Sequence, residues 1–132
     1  MSKINKIIEN IIPIFKKYPQ IKLAYFFGSR AEKTEGPMSD YDFAVYLDEK
    51  DKNKMSEIKF FLADKIGLAL QTDKIDIVIL NTAESSELKY NIIKDGILIH
   101  EKEPYKMIVE PKILNEYFDF YSMLKRHNLT AA

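Results

Sequence analysis

Asp40 and Asp42 stand two residues apart, immediately ahead of the apolar run Phe43-Ala-Val-Tyr-Leu47. In an extended strand both side chains leave the same face, with Cα atoms ~6.5–7 Å apart. Two carboxylates converging there repel each other unless cations lie between them. Hard divalent ions with oxygen ligands are the natural filling, and Mg²⁺ also takes substrate phosphates as ligands. Aspartate is a poor strand residue, so stability does not explain the pair. Upstream, the apolar stretch Ile21 to Phe27 stops at Gly28-Ser29. Glycine lets backbone approach a ligand, the amides after it can open a helix N-terminus facing a phosphate, and the serine hydroxyl adds a hydrogen bond. A phosphate grip on one strand end and a metal-binding pair on the next would assemble a nucleoside triphosphate site.

Asp76 is the best third carboxylate. In Lys74-Ile-Asp-Ile-Val-Ile-Leu80 the isoleucines 75, 77 and 79 share one face and Asp76 takes the other, where a lone carboxylate needs a partner or a metal. Asp73 competes, but it falls in the preceding turn and is expected to face solvent. Arg30 is a further candidate for phosphate contact. His100 and His127 have no neighbours at metal-ligand spacing and are read as non-catalytic.

These residues need strands to carry them and helices to cover the strands. Ile4, Ile7, Ile8, Ile11 and Ile12 recur at helical spacing, and the helix should kink at Pro13 or end before Tyr18-Pro19. Ile21–Phe27, Asp40–Leu47 and Ile75–Leu80 read as strands, with a turn or loop at Gly36-Pro37. The spacing of Ile58, Phe61, Leu62, Ile66 and Leu70 predicts a helix from Lys54 to about Leu70. A short helix from about Glu84 to Lys94 stops at Gly96, and Ile97–Ile99 adds a fourth strand. A last helix, about 112–127, carries Ile113, Leu114, Tyr117, Phe118, Tyr121 and Leu124 on one face. Its first role is packing on the rest of the chain, and its aromatics suit a partner surface. Helices alternating with strands imply an α/β or α+β fold, expected as a single domain over residues 1–132 with its core at about 20–100.

Composition narrows the function. The 132 residues (15.4 kDa) suit one ordinary core, and 46% are hydrophobic, enough to build it. Lys plus Arg and Asp plus Glu each number 20, so the formal charge is zero, which argues against a protein that blankets nucleic acid. There is no cysteine, which excludes disulfides and thiolate-held metals and makes a reducing cytosol the default compartment. No apolar run reaches membrane-spanning length, and the N-terminus lacks the pattern of a signal peptide. A soluble cytoplasmic protein is expected.

Gly28-Ser29, ten residues (30 through 39), then Asp40-x-Asp42 resembles the signature of the nucleotidyltransferase superfamily that includes DNA polymerase β. Gly-Ser-Arg-Ala, then Ser39-Asp-Tyr-Asp42, then Asp76 is most similar to minimal prokaryotic nucleotidyltransferases, in the branch of antitoxins paired with HEPN-domain ribonuclease toxins. The likeness covers about residues 20–100 well and the helical tail weakly. It implies a small mixed sheet flanked by helices, two Mg²⁺ ions, and transfer of AMP from ATP to a tyrosine of the toxin, which silences it. Many relatives carry Arg-Gly where this chain has Glu32-Lys33, so the loop here is less glycine-rich.

On this reading Asp40, Asp42 and Asp76 are the catalytic metal ligands, Asp76 doubling as a candidate base. Gly28, Ser29, Arg30 and Ser39 form the nucleotide-binding set. Two rivals stand beside it. One is a degenerate fold that inhibits its partner by contact alone, which has no use for a third carboxylate. The other is an enzyme acting on a small molecule or an RNA end, for whose acceptor 132 residues leave little room.

Overall fold

The computed structural model describes residues 3–32 and 39–127, so the expected turn at Gly36-Pro37 lies outside the described residues. The elements follow in chain order as α1 (Lys3–Phe15), β1 (Ile21–Phe27), β2 (Tyr41–Leu47), α2 (Lys52–Leu70), β3 (Ile75–Ile79), α3 (Ser86–Asp95), β4 (Ile97–Glu101) and α4 (Tyr105–Arg126). The strands form one mixed sheet in the order β3-β2-β1-β4. β1 is antiparallel to both β2 and β4, while β2 and β3 run parallel. The α/β fold expected from the alternating pattern is the fold found: a small mixed sheet with helices on both faces.

The alternation of side chains along each strand sorts the core into two layers. Ala24, Phe26, Phe43, Val45, Ile77 and Ile79 pack against Ile11 and Phe15 of α1 and Ile58, Leu62 and Ile66 of α2. Leu23, Tyr25 and Ala44 face the other way, against Ile92 of α3 and Val109 and Ile113 of α4. Phe26 stacks on Phe43 at 5.1 Å, and Phe15 meets Phe43 at 6.1 Å. Each fully buried side chain of this kind contributes about 1.5–3 kcal/mol relative to exposure.

Local chemistry sets the helix ends. α1 continues through the exposed Pro13 and stops before Tyr18-Pro19. Asp51 caps α2, accepting from the Asn53 N–H at 2.8 Å, so this helix starts two residues before Lys54. Ser85 caps α3 by accepting from the Leu88 N–H at 3.1 Å. Gly96 ends α3 for want of space rather than for a left-handed turn. Its φ is −73°, and a Cβ there would press on the Ile92 carbonyl oxygen.

Two expectations need correction. α4 begins at Tyr105 rather than near Lys112, because the helix runs through Pro111. A proline inside a helix costs about 3 kcal/mol. Burial of Val109 and Ile113 on either side, and a 2.5 Å hydrogen bond from the Tyr25 hydroxyl to Glu110, offset it. Nor does the aromatic stripe pack inward along its length. Tyr117 stacks on Tyr90 of α3 at 4.0 Å, but Phe118 and Tyr121 are 53% and 46% exposed.

Candidate active site

The register of the sheet brings the carboxylates together. Asp42, the second residue of β2, stands opposite Phe27 of β1 on one side and Asp76 of β3 on the other. Asp42 shares its strand face with Ala44, and Asp76 shares its own with Val78, both part of the layer under α3 and α4. Asp40 lies just ahead of the strand. Partial burial, then the charges of Asp76 and Asp40, push the Asp42 carboxyl up to about 6. The charges of Asp40 and Asp76 thus reach Asp42 at one end of the sheet, although Asp40, expected inside the second strand, lies just outside it because β2 starts at Tyr41. Asp73 is exposed in the turn after α2.

Gly28 lies against this cluster. Its φ is +82°, which side chains rarely adopt, and a Cβ there would overlap the Asp42 carboxylate. Glycine at 28 lets the end of β1 and the start of β2 share the same small space. Residues 29–32 then make one helix-like turn, closed by the Glu32 N–H donating to the Gly28 carbonyl at 3.1 Å. Among the described residues that turn is the whole of the expected helix opening. Ser29 sits in it, and Ser39 immediately precedes Asp40.

Arg30 goes elsewhere. Its Nε donates to the Ser39 carbonyl at 2.9 Å and its Nη1 to the Tyr41 hydroxyl at 3.3 Å. The guanidinium carbon lies 4.2 Å from the centre of the Tyr41 ring. Tyr41 packs on the α1/α2 layer, so Arg30 is held on the face opposite Asp42. Tyr41 escaped the sequence reading; its position next to Asp42 in the strand was the available signal, since alternation sends it to the reverse face. His100 is buried against Phe15, with Nε2 3.0 Å from the Ile21 carbonyl oxygen, and takes no part in the cluster.

Among the described residues, no group of three or more His, Asp or Glu side chains is gathered closely enough to hold a metal ion. The donor set still suits a hard cation. Asp42 is half-buried beside two further carboxylates, and a divalent ion would offset both the burial of its charge and the repulsion from Asp76 and Asp40. A surface hollow of about 620 Å³ beside Gly67, Leu68 and Asp73 contains none of Asp40, Asp42 and Asp76. No helix among the described residues is long and apolar enough to cross a membrane.

Comparison with known proteins bears on this site. The chain is 33% identical over 95 residues to the protein adenylyltransferase MntA of Aphanizomenon flos-aquae (strain 2012/KM1/D3). That match spans 67% of this chain and 63% of the relative's length. A crystal structure described as a toxin–antitoxin with AMP-PNP superimposes with a TM-score of 0.71 at 25% identity, covering 95% of this chain and 94% of that one. The fold is also shared with a structure of a tri-AMPylated Shewanella oneidensis HEPN toxin in complex with MNT antitoxin, at a TM-score of 0.68, 23% identity and 92% coverage of both chains. Residues 9–105, which include Gly28, Asp40, Asp42 and Asp76, match the family described as polymerase beta, nucleotidyltransferase, and the chain belongs to that family.

Proposed function

We propose that this chain is a cytoplasmic, Mg²⁺-dependent protein adenylyltransferase that moves AMP from ATP onto a tyrosine of a HEPN-family ribonuclease toxin and so neutralises it. The observation that carries this reading is the in-register pairing of Asp42 with Asp76, with Asp40 two residues upstream and Gly28 pressed against Asp42. Similarity to a protein adenylyltransferase and to toxin–antitoxin structures supports the choice of nucleotide and acceptor.

Asp40, Asp42 and Asp76 would hold Mg²⁺ through carboxylate oxygens. When bound, the metal supplies charge neutralisation of the triphosphate and orients its α-phosphate. The turn from Gly28 to Ser29 brings backbone and a hydroxyl to the phosphates, beside Asp42. The acceptor hydroxyl oxygen attacks the α-phosphorus while the bond to the bridging oxygen of the β-phosphate breaks, and pyrophosphate leaves. The hydroxyl proton passes to a carboxylate oxygen of Asp76. The nucleophile belongs to the acceptor, so the chain needs no serine–histidine pair of its own. Positioning and charge compensation carry the catalysis. Asp40 and Asp76 are exposed, which leaves the site open to an acceptor as large as a protein.

Incubation with a cognate HEPN-type toxin, ATP and Mg²⁺, followed by intact-mass measurement of both proteins, tests the reading. One or more AMP masses on a toxin tyrosine are expected. A toxin left unmodified yet inhibited, and inhibited equally by the Asp40→Asn variant, would replace the enzyme with a contact inhibitor.

A further inference from the structure

We infer that Arg30 is a positioning residue, holding the entry to β2 from the face opposite the carboxylates so that Asp40 and Asp42 meet the Gly28 turn in register. The inference deepens the proposed function and rests on it for its kinetic readout, though not for its structural one.

Three contacts carry it. The Nε bond to the Ser39 carbonyl, 2.9 Å, fixes the peptide that leads into Asp40. The stack on Tyr41, with the guanidinium carbon 4.2 Å from the ring centre and Nη1 3.3 Å from the hydroxyl, fixes the residue between the two aspartates. Tyr41 is itself seated. Its ring packs at 6.4 Å, nearly parallel, on the fully buried Phe26, and its N–H donates to the Lys74 carbonyl at 2.8 Å. Lys74 lies two residues before Asp76. Arg30 thus holds the segment that carries Asp40 and Asp42, and through the Tyr41 N–H that segment is tied in turn to the one that carries Asp76.

The chemistry of the seat calls for arginine. A flat guanidinium covers an aromatic face while its edge donates in fixed directions; an ammonium supplies the charge without the plane or the fork. In this seat Arg30 turns away from any triphosphate held by Asp42. That separates the inference from a phosphate-contacting role, because misplacing catalytic groups slows the chemical step, whereas losing a phosphate contact weakens binding.

The test compares Arg30→Lys, Tyr41→Leu and the double variant with the unaltered chain. Amide hydrogen exchange is followed in nucleotide-free protein, affinity is measured for metal-free AMP-PNP, and single-turnover transfer is measured with a cognate toxin at saturating ATP and Mg²⁺. Arg30→Lys should speed exchange at the Tyr41 amide by at least about tenfold while Val45 stays protected. It should slow transfer by at least about tenfold and change AMP-PNP affinity by less than about threefold. The double variant should be no slower than the slower single, since both remove one clamp. Unchanged exchange at Tyr41, with weakened AMP-PNP binding and full transfer at saturation, would overturn the inference and make Arg30 a phosphate contact. If the unaltered chain transfers nothing, the proposed function fails, and the exchange result still decides whether the clamp exists.

Discussion

The two faces of β2 differ more than any two elements of the molecule. Tyr41, Phe43, Val45 and Leu47 pack into the layer under α1 and α2, where Phe43, Val45 and Leu47 are essentially solvent-free. The reverse face carries Asp42, then Ala44 in the thinner layer under α3 and α4. One seven-residue strand therefore gives its odd positions to stability and begins its even positions with charge. Alternation lets the two tasks sit 3.3 Å apart along the chain, at about that rise per residue, without either diluting the other. Substitutions on the two faces should separate activity from stability.

The largest expected effect falls on the charged face. Asp42→Asn should slow AMP transfer by roughly 10³-fold, about 4 kcal/mol in the barrier, while the protein stays folded. Single-turnover kinetics with circular dichroism on the same sample checks both halves. Phe43→Ala should do the reverse. Emptying that position costs about 3–5 kcal/mol, readable as a lower denaturant midpoint, and the residual folded fraction should transfer at an unchanged rate. Equal damage to rate and stability from both variants would break the contrast between the faces.

Gly28→Ala sharpens the boundary. The positive φ costs the alanine about 1 kcal/mol, and its methyl would press on the Asp42 carboxylate. Transfer should fall far more than the melting temperature, which a melt run beside a rate assay resolves.

The smallest effect is a pH dependence. In metal-free protein the Asp42 carboxyl is raised to about 6, so the folded state holds its proton more tightly than the unfolded chain does. That group costs no stability below its ordinary value near 4, an increasing amount between pH 4 and 6, and a constant amount above 6. Because Asp42 is only half-buried, solvent screening reduces the cost to about 1 kcal/mol. Asp42→Asn should therefore melt a few degrees higher than the unaltered chain at pH 7.5 without divalent cations, and the gap should close by pH 4. A gap that widens on acidification would show that burial and Asp76 do not act on Asp42 as described.

Much of the site was legible because its signals are local. Gly28-Ser29 and Asp40-x-Asp42 lie within fifteen residues, and the strand period sets Asp42 apart from Tyr41 and Phe43, although β2 starts one residue too late to include Asp40. The period also set Asp76 apart from its isoleucine neighbours, but only the parallel register of β2 and β3 places it beside Asp42. The rest depends on contacts between distant segments. Arg30 reads as a free cation until Tyr41 appears beneath it on the far face of β2. The first turns of α4 were hidden by Pro111, because the contacts that offset its cost, such as Tyr25 with Glu110, lie 85 residues apart in sequence. The exposure of Phe118 and Tyr121 was equally hidden, since an apolar stripe looks the same whether or not a neighbour covers it.

The claim at the centre is that Asp76, paired across the sheet with Asp42, completes the site and that its neighbour Asp73 does not. Single-turnover transfer by Asp76→Asn and Asp73→Asn, with ATP–Mg²⁺ affinity measured separately, decides between them. Asp76→Asn should abolish transfer while the nucleotide complex still binds through Asp40 and Asp42, and Asp73→Asn should transfer within about twofold of the unaltered chain. The opposite ranking, or full activity in Asp76→Asn, would contradict the assignment of the third carboxylate and the two-strand site built on it.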